Sequence, residues 1–326
     1  MFFSLIIPVY NRPDEIQEVL EGLRDQTYRE FEVIIVDDGS VKKADKVAEN
    51  FHQQLDIHYH YIQNSGQGFA RNYGFSQSRG EYIIILDSDI IIPPDYLQQV
   101  NEYLQKNLLD CFGGPDKAHS SFTPIQKAAD FALTSFLTTG GTRGRKKSAA
   151  AYYPRSFNMG MKREVYERTG GFVLPDCGED LEFSIRIEKT GYRIGLIEKA
   201  YIYHKRKDSL SAFYRQMVWF GKSRINIHRF FPESLKLIHL LPLMFYLYLL
   251  LMLLLLPWVP VLSLVMLSGL LFYFLMVWVE ALFRYRSLKV AILSILTSAS
   301  VFLGYGWGLI RYQLQQKEPY IKGKTN

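Results

Sequence analysis

Three short acidic clusters carry most of the chemistry this sequence can do. Asp87-Ser88-Asp89 spaces two carboxylates i, i+2, so on continuing strand geometry they project from one face and can share a hard cation with phosphate oxygens. A bare pair of this kind is common in solvated turns. Here Tyr82-Ile83-Ile84-Ile85-Leu86 precedes it and Ile90-Ile91-Ile92-Pro93-Pro94 follows, and acids lodged between apolar runs are hard to read as surface. Asp37-Asp38-Gly39-Ser40 closes another apolar run, with carboxylates placed to accept hydrogen bonds from a base and ribose, although as a turn alone it is commonplace. Glu179-Asp180 follows Gly178 and opens a helix, whose N-terminus favours an ionised carboxylate able to take a proton; plain helix capping explains the same pair. His204 ends a strand, where an imidazole can ligate a metal or serve the fold.

Positioning these groups requires strands that stop at the acids. Short β-branched runs alternate with polar helical stretches, the pattern of a parallel sheet covered by helices. Strands are expected at Leu5 to Val9, Glu32 to Val36, Ile57 to Ile62, Tyr82 to Leu86, Phe112 to Ala118 and Ala200 to Tyr203. Helices are expected at Asp14 to Gln26 with Asp14 as N-cap, and around Lys43 to Phe51, Gly68 to Ser78, Asp130 to Thr139 and Glu179 to Thr190. Two acidic clusters thus fall at carboxyl ends of strands, where open α/β sheets form their ligand crevice. Gly140 to Lys147 reads as a basic loop.

Composition then divides the chain. Of its 326 residues 48% are hydrophobic, and they concentrate late: Leu237 to Phe283 is nearly all apolar, and Val290 to Ile310 is a second such run. A span needs about 20 apolar residues, so the first run suits two helices turning at Pro257-Trp258-Val259-Pro260, and the second a third span. The positive-inside rule agrees with the basic loop Arg284 to Lys289 but not with Arg311, Lys317, Lys322 and Lys324, so three spans are favoured with a tail that breaks the rule, the alternative being a re-entrant third segment. Net charge is +6, yet no basic stripe pairs with aromatics, so anionic lipid is a better counter-charge than nucleic acid. Leu210 to Phe231 mixes rings and cations as interfacial helices do, or as an amphipathic helix packed on the soluble part does. Cys111 and Cys177 form no motif. Phe2 to Ile7 lacks the basic lead of a signal peptide, so the soluble part is expected in the cytoplasm.

One resemblance unites these observations. Ser4 to Arg12, Val36 to Ser40, Gly66 to Asn72, Leu86 to Asp89, Asn158-Met159-Gly160, Gly170-Gly171-Phe172 and Gly178-Glu179-Asp180 occur in the order seen in family 2 glycosyltransferases, over roughly residues 1 to 205. The resemblance implies a GT-A fold, a Rossmann-like mixed sheet with helices on both faces, and inverting transfer from a nucleotide-sugar, often a UDP-sugar. It implies that Pro8, Tyr10, Asn11, Arg12, Asp38, Gly68, Arg71 and Asp87 bind the donor nucleotide, and that Asp89 and His204 hold Mn²⁺ or Mg²⁺. Asp180 then corresponds to the catalytic base, and Asn158 and Glu179 to the sugar and acceptor pocket. Processive relatives carry QxxRW where this chain has Arg215-Gln216-Met217-Val218-Trp219-Phe220-Gly221-Lys222, which favours one sugar per encounter.

The expected layout is a catalytic domain over 1–208, juxtamembrane helices over 209–235, an all-α transmembrane region over 236–311 and a basic tail over 312–326. The expected activity is hexosyl transfer to a lipid-linked or cell-envelope glycan acceptor, at the cytoplasmic face of a membrane the chain crosses several times. A polyprenyl phosphate is an alternative acceptor. A membrane-bound nucleotidyltransferase could share the α/β domain and acid pair, but it needs neither Gly178-Glu179-Asp180 nor the hydrocarbon tail. A non-catalytic scaffold leaves the acidic clusters unexplained.

Overall fold

The structure, a computed structural model, describes residues 1–140 and 152–315. The basic stretch 143–147 and the tail lysines after 315 lie outside the described residues. In chain order the elements begin β1 (Phe3–Val9), α1 (Pro13–Arg24), β2 (Phe31–Asp38), α2 (Asp45–Glu49), β3 (Ile57–Ile62), α3 (Gln67–Gln77), β4 (Tyr82–Leu86) and β5 (Ile90–Ile91). They continue α4 (Tyr96–Lys106), β6 (Cys111–Gly113), β7 (Asp116–Lys117), α5 (Pro124–Thr134), α6 (Phe136–Thr139), β8 (Asn158–Lys162), α7 (Arg163–Thr169) and α8 (Glu179–Lys189). Last come β9 (Ile194–Leu196), β10 (Ile202–His204), α9 (Leu210–Phe230), α10 (Leu241–Leu255), α11 (Pro260–Tyr285) and α12 (Leu288–Gln315).

The chain forms two compact units. The first comprises residues 1–119 and 152–205. Its main sheet has the order β3-β2-β1-β4-β8-β6-β9, parallel from β3 to β4, with β8 antiparallel to both neighbours. Strands covered on both faces read as unbroken apolar runs, which is why Ile83-Ile84-Ile85-Leu86 is buried throughout. A smaller sheet, β5-β10-β7, lies beyond. The two faces of the main sheet bury separate cores, one around Leu5, Val33, Ile84 and Leu97, the other around Ile6, Ile34, Ile85 and Phe183. Away from the acidic strand ends, the buried Glu32 carboxylate accepts from Ser4 Oγ (2.6 Å), Arg79 N (2.6 Å) and Arg79 Nε (2.8 Å). Asp56 and His58 stand beside it, but Arg79 already pairs with both carboxylates, which leaves this trio poorly suited to a cation.

Several expected boundaries shift for identifiable reasons. Arg12, without a side-chain cap bond, occupies the N-cap of α1, because Pro13 at the first position starts the helix and puts Asp14 in its first turn. The expected strand Phe112 to Ala118 divides between two sheets at Gly114-Pro115, where an added Cβ would meet Ala200 O at 1.7 Å. β8 has no β-branched residue to announce it; Gly160 is required there because the Phe112 ring fills its Cβ position at 2.1 Å. The expected helix Asp130 to Thr139 starts earlier, at Pro124 under a Thr123–Gln126 capping box, and breaks at Ser135, whose hydroxyl caps α6.

The second unit comprises residues 120–140 and 206–315. The apolar face of α5 finds its cover here: Phe131 packs on Val277, Ala281 and Ala291, and Ala129, Ala132 and Leu133 on Phe213, Met217 and Val301. Asp130, buried on that helix, pairs with Arg206 (3.0 Å) and accepts from Tyr285 Oη (3.0 Å). Among the described residues, three helices are long and apolar enough to cross a membrane: Leu237–Leu255, Pro260–Tyr285 and Leu288–Gln315.

Candidate active site

The site of the first unit starts from the turn between β4 and β5. Asp87 and Asp89 leave the buried β4, and β5 pairs antiparallel with β10 so that Ile90 stands opposite His204. That register brings the imidazole to the acids: His204 Nε2 is 3.1 Å from Asp89 Oδ1, and ligand atoms of Asp87, Asp89 and His204 lie within 4.8 Å of one another. All three side chains are partly exposed. Two carboxylates and an imidazole form a donor set suited to Mn²⁺ or Mg²⁺. Arg12 NH1 lies 3.5 Å from Asp89 and 3.2 Å from Glu15, and Ser88 Oγ donates to Glu15 (2.7 Å). Burial works to lower the Arg12 pKa, but Glu15 and Asp89 outweigh it and hold the guanidinium above its ordinary value.

Arg71 connects this turn to the acids of α8. It is fully buried on α3; NH2 donates to Asp87 Oδ1 (2.9 Å) and NH1 to Glu179 Oε1 (3.0 Å). Burial alone would lower its pKa, yet Asp87 and Glu179 keep it raised. Glu179, also buried, accepts from Gln67 Nε2 (2.6 Å) as well. Burial, and next the adjacent Asp180, push its carboxyl up to about 7. Asp180 is partly exposed on the first turn of α8, and its Oδ2 lies 3.5 Å from Arg155 NH1.

The loop before α8 is fastened to α3. Gly68 N donates to Pro175 O (2.8 Å), and an added Cβ at Gly68 would meet Leu174 O at 2.1 Å, so only glycine allows the approach. The Asn72 amide grips Phe172 twice, donating to its carbonyl (2.7 Å) and accepting from its N–H (2.8 Å).

Beyond the carboxyl end of β1, Asn11 adopts φ 57° and donates from its backbone to Ser40 Oγ (2.7 Å), while its Oδ1 accepts from Val41 N (2.8 Å) and Lys42 N (3.0 Å). Pro8 stands opposite Val36 one residue before the end of β1, and Tyr10 projects into solvent. The Asp38 carboxylate accepts from Ser65 N (2.7 Å) and Gly66 N (2.9 Å), anchoring the entry to α3. Asp37 accepts from Tyr59 Oη (2.5 Å) and Ser40 N (2.8 Å).

Three residues make contacts that no local pattern in the sequence indicates. Asn158, expected in the sugar and acceptor pocket, is fully buried; Tyr96 Oη donates to its Oδ1 (2.6 Å) and its Nδ2 to Ala200 O (2.8 Å), a bracing position. Arg71 spends its charge on two carboxylates. Arg155, beside Asp180, was not anticipated, and its only sequence signal is its place shortly before Asn158.

Comparison with known proteins bears on this arrangement. Residues 4–170 match the family described as "Glycosyl transferase family 2". The glycosyltransferase GlyG of Streptococcus pneumoniae is 32% identical over 229 residues, covering 66% of this chain and 75% of that protein. The uncharacterized glycosyltransferase EpsJ of Bacillus subtilis is 27% identical over 216 residues, covering 64% of this chain and 62% of its own length. Among solved structures, the mannosyltransferase PcManGT from Pyrobaculum calidifontis, in complex with GDP-Man and Mn²⁺, superposes with a TM-score of 0.65 at 19% identity, over 92% of this chain and 87% of that one, a likeness of fold. With its mixed α/β sheet of GT-A type and the helical region that follows, this chain belongs to glycosyl transferase family 2.

Proposed function

We propose that the protein moves one hexose, with inversion, from a nucleotide-sugar, a UDP-sugar by the family pattern, to a lipid-linked or envelope-glycan acceptor at the cytoplasmic face of its membrane. The observation that carries this reading is the joining of Asp87, Asp89 and His204 to Glu179-Asp180 through the single buried guanidinium of Arg71. A divalent cation held by Asp87, Asp89 and His204 would neutralise charge on the departing nucleoside diphosphate. Asp180, exposed enough to meet an acceptor hydroxyl, takes its proton on the face opposite the leaving group, and a single displacement of that kind inverts the anomeric centre. Pro8, Tyr10, Asn11, Arg12 and Asp38 would hold the nucleoside, as the family resemblance implies. That PcManGT was solved with GDP-Man and Mn²⁺ supports the class of donor and cofactor.

The test is turnover of the purified full chain with a panel of nucleotide-sugars and membrane lipid extract. Release of a nucleoside diphosphate is expected; release of pyrophosphate would identify a nucleotidyltransferase instead. Asp180→Asn should abolish transfer while leaving donor affinity nearly intact, and surviving turnover would remove Asp180 from the base position. Asp89→Ala should abolish the Mn²⁺ dependence of donor binding, which titration calorimetry reads directly.

A further inference from the structure

Within the second unit the third apolar helix differs from the other two in what surrounds it. α10 buries only Pro242 among its residues, and α11 only Ser263, Val277 and Ala281, leaving their leucines outward as helices facing lipid do. α12 has the lower mean hydropathy, 1.7 against 2.3, and buries Ser294, Thr297, Ser298, Gly304 and Gly308 against protein.

What it packs on is charged. Its second half runs along α9 at backbone contact: an added Cβ at Gly308 would meet Val218 O at 2.1 Å, and one at Gly221 would meet Tyr305 O at 2.1 Å. Along that contact Arg224 Nε reaches Tyr305 Oη (3.3 Å), Arg229 NH2 reaches Tyr312 O (3.3 Å) and Lys222 lies over the Tyr312 ring (5.4 Å). Its first half lies on α5, where Thr297 Oγ1 donates to Ala128 O (2.9 Å) two residues from the Asp130–Arg206 ion pair. Were α12 to cross hydrocarbon, these neighbours would enter it too.

The register with the hairpin points the same way. A third span would run parallel to α10, so later residues of one would meet later residues of the other. Instead Tyr246 Oη donates to Leu303 O (2.7 Å) and Phe245 stacks on Phe302, whereas the earlier Pro242 O lies 3.1 Å from where a Cβ of the later Gly306 would stand and Leu243 packs on the cluster of Ile225, Leu309 and Tyr312. These contacts lie in the first turns of α10, while its far half pairs with α11 through Tyr248 to Met266 and Ser263 to Met252.

We infer that α12 does not cross the bilayer: with α9 it forms a layer on the membrane face that carries the catalytic segment, its Trp307 and Leu314 and the cations of α9 set against anionic lipid, and the chain crosses only through α10 and α11. The arrangement keeps Arg311 on the same face as Arg284, Arg286 and Lys289, which removes the conflict with the positive-inside rule.

Single added cysteines test it, because the two native ones are buried. Lys106→Cys marks the catalytic segment, Trp258→Cys the exposed hairpin turn and Leu314→Cys the exposed end of α12, each in the full chain. Cells are treated with a membrane-impermeant maleimide before and after permeabilisation. Leu314→Cys is expected to react together with Lys106→Cys and on the opposite side from Trp258→Cys. Leu314→Cys reacting on the side of Trp258→Cys would establish three crossings, and all three on one side would establish none; either overturns the inference. The exposed Gln313→Cys replaces Leu314→Cys if the latter stays inert after permeabilisation.

Discussion

Arg71 is the residue on which the site's geometry turns. Its guanidinium offers donors in a fixed fork, and two of them reach carboxylates from different elements, Asp87 after β4 and Glu179 on α8. A lysine keeps the charge but not the fork, so Arg71→Lys should release one of the two acids. Small displacements at a reacting centre are costly, and kcat should fall roughly 100-fold with donor KM nearly unchanged. A rise in KM at constant kcat would instead favour the direct nucleotide contact implied by family resemblance. Steady-state kinetics at saturating Mn²⁺ separate the two. The motif around Arg71 was legible in the sequence; its partners were not, since Glu179 stands 108 positions further along the chain.

At the scale of elements, the acidic turns stand where they do because strands end there, and other polar contacts hold those strands together. Glu32 on β2 collects a hydroxyl, a backbone N–H and a guanidinium. Burial opposes its ionisation most, yet the bonds from Ser4 and Arg79 outweigh burial and hold the carboxyl below its ordinary value. A lowered carboxyl pKa in the folded state means stabilisation that is complete above the unfolded value and lost as pH falls through the folded one. Glu32→Gln should therefore cost about 2 kcal/mol at neutral pH. The gap between wild type and variant should narrow below about pH 4. Thermal melts across that range give the comparison. Element types were largely readable from periodicity. β8 was not, because its place depends on the Phe112 ring filling the space above Gly160.

For the whole molecule, apolar runs separate a unit of long apolar helices from a sheet-bearing one, but the division is not a single cut in the sequence. Residues 120–140 group with the late helices because the apolar face of α5 is covered by α9, α11 and α12. The closest of those helix contacts is made by glycines. Gly308→Leu should force α12 away from α9, since even a Cβ lacks room, and overpacking of this kind costs roughly 1–3 kcal/mol. A lowered melting temperature of the detergent-solubilised protein, with Gly269→Leu in the open part of α11 as the comparison, would register it.

The order of acidic clusters, the strands that end at them and the apolar length able to enter a bilayer were settled by the sequence itself, because period, turn chemistry and hydrocarbon content are local properties. Tertiary structure alone decided that His204 joins Asp89, that Arg71 bridges two distant acids and that Asn158 faces inward. Each depends on strand register or helix docking between segments far apart in the chain, and no local pattern specifies which side chain lies across from which. The same holds for α12: its apolar content permits a span, but only the charged helices packed along it reveal the environment in which it lies.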